Sequence, residues 1–243
     1  VGSGFIRHNL SMQASFVNSI KLPHGTLNFP VYLPDATYGM VRAVDSADLE
    51  NAGIQAVVMN AFHLMQKPGS STIQALGGLH AMSGWPHPIL TDSGGYQAYS
   101  MSDTATVDDD GVTFRSFVDG SKVHLGPERS MQVQNEIGAD IIMAFDDCPP
   151  AALPAEGAEE RRAARARKVV DHQRRLVEAH ERTLRWLERC IRAHARPHEQ
   201  GLFGIVQGGT DLQLRQRSLE GVCGFDLAGY AIGGVAVGEG TEA

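Results

Sequence analysis

The stretch Pro88-Ile89-Leu90-Thr91-Asp92-Ser93-Gly94-Gly95-Tyr96-Gln97 gathers a carboxylate, bare backbone and an aromatic ring within five residues. Ile89 and Leu90 read as the end of a short buried strand, bounded upstream by Pro86 and Pro88. Asp92 then stands where the strand gives out. Gly94-Gly95 lets the chain turn sharply and lets a ligand come close, because glycine has no Cβ. Tyr96 presents a flat ring with a polar tip. Such a set can hold and protonate a planar polar molecule. The same residues also make an ordinary strand-to-loop turn, in which Asp92 caps a helix and Tyr96 packs.

Three other apolar runs end in groups that complete this chemistry. Asp146 follows Asp140 to Phe145, Gln207 closes Leu202 to Val206, and Gly233-Gly234 follows Leu227 to Ile232. A carboxylate such as Asp146 accepts hydrogen bonds from ring N–H and exocyclic NH₂ groups. The Gln207 amide donates and accepts, and the Gly234 N–H donates to a carbonyl oxygen. Together these groups could read a purine-like edge. Tyr96 could stack on the ring, which leaves Asp92 to move a proton or stabilise charge. His63 also stands at a strand end, where it either meets a ligand or satisfies backbone groups.

The elements that must position these residues follow from the hydrophobic pattern. Residues 14–21 and 26–33 flank Pro23-His24-Gly25 and read as a hairpin spanning about 14–33. Six runs read as strands buried on both faces, starting at Val31, Gln55, Ile89, Asp140, Leu202 and Leu227. Helices are expected at Ser46 to Ala52, capped by Asp45 or Ser46, at Thr72 to Leu76, at Pro127 to Ile137 and at Leu212 to Leu219. Val112 to Phe117 alternates as a strand, and Asp119-Gly120 signals a hairpin turn. Residues 157–195 form a long helical insertion, either continuous or broken near Asp171. Val170, Val177, Leu184 and Ile191 mark one apolar stripe on it, with Leu187 between the last two. The alternation fits a doubly wound sheet or a barrel. Polar groups at the C-terminal ends of four strands favour a (β/α)₈ TIM-barrel type of α/β fold, with about six of its eight strands in this chain. The whole chain, 1–243, then reads as a single incomplete barrel domain.

Composition narrows the class. The 243 residues are 42% hydrophobic, and no apolar run approaches the ~20 residues of a membrane span. Val1 to Arg7 lacks the pattern of a signal peptide. Cys148, Cys190 and Cys223 form neither a disulfide framework nor a zinc motif, which points to a reduced, cytoplasmic protein. Net charge is −7, which argues against a polyanionic partner, yet twelve of the 21 Lys and Arg fall between residues 161 and 196. That stripe reads as a nucleic-acid footprint or as a helix face neutralised by acids such as Glu178, Glu181 and Glu188.

From about Leu22 onward the chain resembles the tRNA-guanine transglycosylases, also called queuine tRNA-ribosyltransferases. The segments that carry the resemblance are Pro23 to Thr26, His63-Leu64, Pro68-Gly69, Gly77 to His80 and Thr91 to Gln97. They continue with Phe114 to Ser116, Asp119-Gly120, Ala139 to Cys148, Phe203 to Gly208 and Gly229 to Glu239. Many segments in one order make the match specific. The resemblance implies a barrel enzyme that replaces a guanine of the tRNA anticodon by a 7-deazaguanine, in queuosine biosynthesis. It makes Asp92 the general acid/base or proton acceptor, and Ser93, Gly94, Gly95, Tyr96, Asp146, Gln207 and Gly234 the base-binding residues. The mechanism would follow a retaining glycosidase, with a carboxylate attacking the ribose C1′.

The family's nucleophilic aspartate and its Cys/His zinc site both lie beyond Gly233 to Glu239, and this chain stops at Ala243. The expectation is therefore an N-terminal part of the enzyme, inactive alone, with no metal ligands of its own. Ala61-Phe62 departs from the family's threonine and tyrosine. The resemblance also sets Cys148 and Val237 beside the substituent of the incoming base, where enzymes that take queuine tend to have valine and glycine. Val237 would crowd queuine's cyclopentenediol by ~1–3 kcal/mol, roughly a 5- to 150-fold preference for the smaller base preQ1. The Val235 carbonyl could accept from the preQ1 ammonium. Partners are then tRNA and preQ1, no membrane, and a homodimer is left open. The alternatives are a non-catalytic subunit of a heterodimeric transglycosylase, an enzyme that puts deazaguanine into DNA, and an unrelated barrel glycosidase.

Overall fold

The computed structural model describes residues 17–100, 105–149 and 162–235. A hairpin opens it, β1 (Ser19–Leu22) pairing antiparallel with β2 (Gly25–Asn28) around Pro23-His24. Helix α1 (Ser46–Asn51) starts at Asp45, whose side chain accepts from the Asp48 N–H. Then come β3 (Val57–Met59), α2 (Ala61–Leu64), α3 (Ser70–Ala75), α4 (Gly78–Ser83) and β4 (Ile89–Thr91). Helix α5 (Gly95–Ser100) follows β4 directly. A small antiparallel sheet interrupts the alternation: β5 (Thr106–Val107), β6 (Val112–Arg115) and β7 (Lys122–Leu125). After α6 (Pro127–Ile137) and β8 (Ile141–Met143) come the long α7 (Arg162–Ala193), β9 (Gly201–Val206), α8 (Leu212–Val222) and β10 (Gly229–Ile232).

Five strands form one parallel sheet in the order β10-β9-β8-β4-β3. Spatial order thus equals chain order. A doubly wound sheet needs a point where that order reverses, and none occurs among the described strands. The sixth expected strand does not form. Residues 31–34 lie in no strand, and only Asp35 bridges to Val58. Pro30 and Pro34 bracket the segment and remove two backbone donors from it. The Pro34 carbonyl and the Ala36 N–H still bond to Val58, so one residue's length of pairing survives.

Alternation along the strands separates two cores. Val57, Met59, Ile89, Ile142, Leu202 and Val206 face the helices. Leu90, Ile141, Met143 and Phe203 face the other way and pack with Leu22 and Leu27 of the hairpin. The hairpin is pinned by Asp140, just before β8. One oxygen of Asp140 accepts from the backbone N–H of His24 and pairs with its ring, at 3.2 and 2.8 Å. The other accepts from the Ile89 N–H and pairs with the His80 ring, at 2.9 and 3.1 Å.

Helix α7 is continuous from Arg162 to Ala193, with no break at Asp171. Its buried face overlaps the expected stripe in part: Leu187 is buried and Leu184 packs against the core. Leu176, Ala179, Thr183, Trp186, Leu187 and Cys190 are buried, while Val177 and Ile191 are each 37% exposed. The seven-residue pattern therefore marks the edge of the interface, about one residue (100°) away from its centre. Hydrogen bonds fix this face as well. Thr183 Oγ1 accepts from the Asp147 N–H at 3.0 Å, and Trp186 Nε1 donates to the Asp109 carbonyl at 2.8 Å. Thr183, polar by type, thus lies at the heart of the contact.

Candidate active site

Asp92 sits one residue past β4, and its carboxylate reaches across to the start of α2. One oxygen accepts from the Ala61 N–H at 2.9 Å. The other accepts from Asn60 Nδ2 at 2.5 Å and Gln97 Nε2 at 3.3 Å. Asn60 in turn accepts from the His63 N–H at 2.9 Å. Asn60 and Asp92 thus satisfy two of the free N–H groups at the start of α2. Asp92 does cap a helix, but one that follows the neighbouring strand rather than its own. Burial pushes its carboxyl up to about 7, against the pull of the Ala61 and Gly94 N–H groups and with added push from Asp146 and Asp35. It can therefore hold or release a proton near neutral pH.

Asp146 lies three residues past β8 and is buried. Ser93 Oγ donates to one oxygen at 2.8 Å and Gln207 Nε2 to the other at 2.5 Å. Burial raises it to about 6, against those two hydrogen bonds and helped by the charge of Asp147. Close backbone approach holds the group. A Cβ on Gly95 would come within 2.5 Å of the Asp146 carbonyl oxygen, and a Cβ on Gly234 within 2.3 Å of Gln207 Oε1. Gly234 also has φ +67°, a left-handed backbone that favours glycine. Cys148 lies beside Gln207 and the Gly234 N–H, and burial pushes its thiol up to about 12, so it stays protonated. Tyr96 is in the first turn of α5 and 36% exposed, so its ring is not packed away. Val235, at the end of the β10 loop, is partly exposed.

The loop that carries Asp146 is clamped from behind by α7. Arg175 grips both oxygens of the buried Asp147, and Arg182 Nη1 reaches one of them at 2.6 Å. Phe145 stacks on Trp186 with ring centroids 4.9 Å apart, and its N–H points to Cys190 Sγ at 3.2 Å. The basic stripe is thus paired with acids in its described side chains, Arg174 to Arg196. Its main partners are Asp147, Asp109 and Glu128, with Glu178 and Glu188 at the weaker distances of 3.8 and 3.9 Å.

The pattern that describes queuine tRNA-ribosyltransferase matches residues 16–243. The chain belongs to the queuine tRNA-ribosyltransferase family. A relative of that name from Synechococcus elongatus is 47% identical over 224 residues, which is 92% of this chain and 54% of that protein. One from Thermus thermophilus is 46% identical over 227 residues, 93% and 54% of the two lengths. One from Halalkalibacterium halodurans is 43% identical over 223 residues, again 92% and 54%. The chain spans about half the length of these curated relatives.

Of the residues that the family resemblance singles out, Asp146, Gln207, Cys148, Ser93, Gly95 and Gly234 form one contiguous group, and Asp92 stands across from it. Val237 lies outside the described residues. His63 turns to Tyr38, its Nδ1 3.1 Å from the hydroxyl, and burial lowers its pKa. Sequence reasoning missed Asn60, Gln97 and Asp147 as supports. The signal for Asn60 was present: an asparagine directly after a strand and before a short apolar helix is a cap.

The family's zinc needs tetrahedral N and S donors. Among the described residues, His24, His80 and Asp140 are the one group of three side chains close enough to share an ion. They do not fit zinc. Both Asp140 oxygens already take two N–H groups, and the imidazoles lie face to face, centroids 3.4 Å apart and 17° from parallel. Each imidazole spends its facing nitrogen on a hydrogen bond to Asp140. The trio is a structural clamp.

Proposed function

We propose that this chain is the base-reading part of a tRNA-guanine transglycosylase, an enzyme that exchanges an anticodon guanine for a 7-deazaguanine. The observation that carries the reading is Asp146, buried yet ionisable, lying between Ser93 Oγ and Gln207 Nε2 with the Gly234 backbone against Gln207. Its carboxylate accepts the ring N–H and exocyclic NH₂ of a guanine edge, and the Gly234 N–H serves the ring carbonyl. Tyr96 covers one ring face. During exchange the bond from C1′ to the leaving guanine breaks as a carboxylate attacks C1′. The incoming base then displaces that carboxylate and loses its ring proton, while the departing guanine gains one. A group near pKa 7 is matched to that traffic, and Asp92 fills the role.

On this reading residues 1–243 belong to one barrel-type domain, with the hairpin (about 14–33) and the helical stretch (about 157–195) as additions. The five parallel strands are part of an eight-stranded barrel. The incoming base is preQ1 rather than queuine, supported by Cys148 beside Gln207 and by the crowding argument at Val237. The partner nucleic acid is tRNA rather than DNA.

The test joins this chain to the remaining part of the Thermus thermophilus relative and follows labelled guanine into tRNA. The expected result is incorporation that Asp92→Asn and Asp146→Ala abolish while the fold survives. Near-normal turnover by a folded Asp92→Asn variant, or incorporation into DNA but not tRNA, refutes the proposal. Equal entry of queuine and preQ1 refutes the size argument alone.

A further inference from the structure

Strands β4 and β8 carry the two carboxylates at their C-terminal ends, yet they pair for only one register position, Leu90 with Ile141. Beyond it they part, and the Gln134 side chain of α6 fills the gap. Gln134 is fully buried. Its Oε1 accepts from the Met143 N–H at 3.0 Å and its Nε2 donates to the Met143 carbonyl at 2.9 Å. The amide thus pairs with β8 as a neighbouring strand would. Its remaining capacity goes to β4 and to its own helix. Oε1 also accepts from Thr91 Oγ1 at 3.1 Å, and Nε2 donates to Ser130 Oγ at 3.1 Å. All four hydrogen-bonding positions of the amide are filled. Ser130 then donates to the Ser93 carbonyl at 2.9 Å, and Ser93 Oγ donates to Asp146.

We propose that Gln134 is a positioning residue: its amide acts as a one-residue strand wedged between β4 and β8, and it sets the gap across which Asp92 and Asp146 work on a base. Asp92 is one residue from Thr91, and Asp146 is three from Met143. A side chain that fills the space without the amide leaves the Met143 N–H and carbonyl and the Thr91 hydroxyl buried and unpaired. The strands then close on each other to recover those bonds, and the carboxylates approach. Ser130 extends the same control to the loop of Ser93. Gln134 touches neither carboxylate, so its effect on them travels through backbone.

The inference rests on the base-reading proposal above, and its test separates the two. In this chain, compare wild type, Gln134→Met, Ser130→Ala and, as a control, Val133→Ala, a buried apolar residue on the same helix that makes none of these hydrogen bonds. Two readouts apply: the titration of the Asp92 and Asp146 carboxyls by carbon NMR, which needs no ligand, and the affinity for guanine. The expected result for Gln134→Met is a titration curve spread to higher pH and about tenfold weaker guanine binding, the order of one misplaced buried polar contact. Ser130→Ala shows the same changes more weakly and keeps the measurement available where Gln134→Met fails to fold. Val133→Ala lowers the melting temperature and leaves both readouts as in wild type. The wedge is refuted by unchanged titration in both Gln134→Met and Ser130→Ala, or by equal change in Val133→Ala. Failure of wild type to bind guanine counts against the base-reading proposal instead, and the titration still decides the wedge.

Discussion

Guanine binding should weaken as pH falls through 6. On the proposed reading Asp146 binds as the carboxylate, because a neutral acid offers one acceptor fewer and a proton where the base presents its own. In the free chain burial raises Asp146 to about 6. If only the ionised form binds, the apparent Kd grows with the protonated fraction. Then pH 8 leaves it unchanged and pH 5 raises it about tenfold, since the group is one unit below its midpoint. Asp92, near 7, titrates higher and is not the group that grips the edge. Asp92→Asn should therefore keep the tenfold loss, while Asp146→Asn should bind weakly at every pH. Equilibrium dialysis with labelled guanine between pH 5 and 8 measures this. Affinity that stays flat, or that rises toward pH 5, would refute the assignment of Asp146 as the ionised reader.

The same two carboxylates should make the fold less stable at higher pH. Both are raised above the unfolded value of 3.8, so the native chain binds more protons than the unfolded one between about pH 4 and 7, and stability falls over that window. For Asp146 the shift corresponds to roughly 3 kcal/mol. Denaturant melts of wild type against Asp146→Asn should show the difference growing toward pH 8, and a constant difference would contradict the burial argument. Gly95→Ala should destabilise by ~1–3 kcal/mol, because the new methyl meets the Asp146 carbonyl oxygen at 2.5 Å. An unchanged melting temperature would show that α5 shifts freely. Asp147→Ala should cost about 3 kcal/mol, since it leaves Arg175 and the largely buried Arg182 without their shared acid. Arg182→Met should cost less, because Arg175 still neutralises Asp147. Equal losses in urea melts would rule out the shared clamp.

Much of the fold was legible because local rules and tertiary needs agree. Helix α6 runs from Pro127 to Ile137 with Gly138 left-handed at its end, as proline at the first position and glycine after the last dictate. The buried strands and the polar residues at their ends were also readable, since apolar runs bounded by turn residues have one main interpretation. What failed depended on partners distant in sequence. Val31 to Leu33 has strand composition, but its flanking prolines withhold the donors that a ladder needs. The stripe on α7 found Leu187 and Leu184 but set Val177 and Ile191 too near its centre, and it gave no weight to Thr183, which is buried through a hydrogen bond that no periodicity records. Strand β5 is two residues long, too short to carry a pattern. In the site, composition pointed to Asp92 and Asp146 but not to Gln134 or Arg182, whose meaning lies in the backbone and carboxylate they meet some nine to 43 residues away.

The agreement between spatial and chain order has a consequence for synthesis. Each strand of the parallel sheet finds its neighbour in the segment made just before it, so the sheet can be laid down in the order in which it leaves the ribosome. Among the five described strands of this sheet each pairs with the next one made, and the closures span 26 to 60 residues. The His24–Asp140 contact breaks this pattern, since it joins positions 116 residues apart. The hairpin, already tied to Gln55 through Asn28, therefore gains its Asp140 anchor only once the start of β8 has emerged.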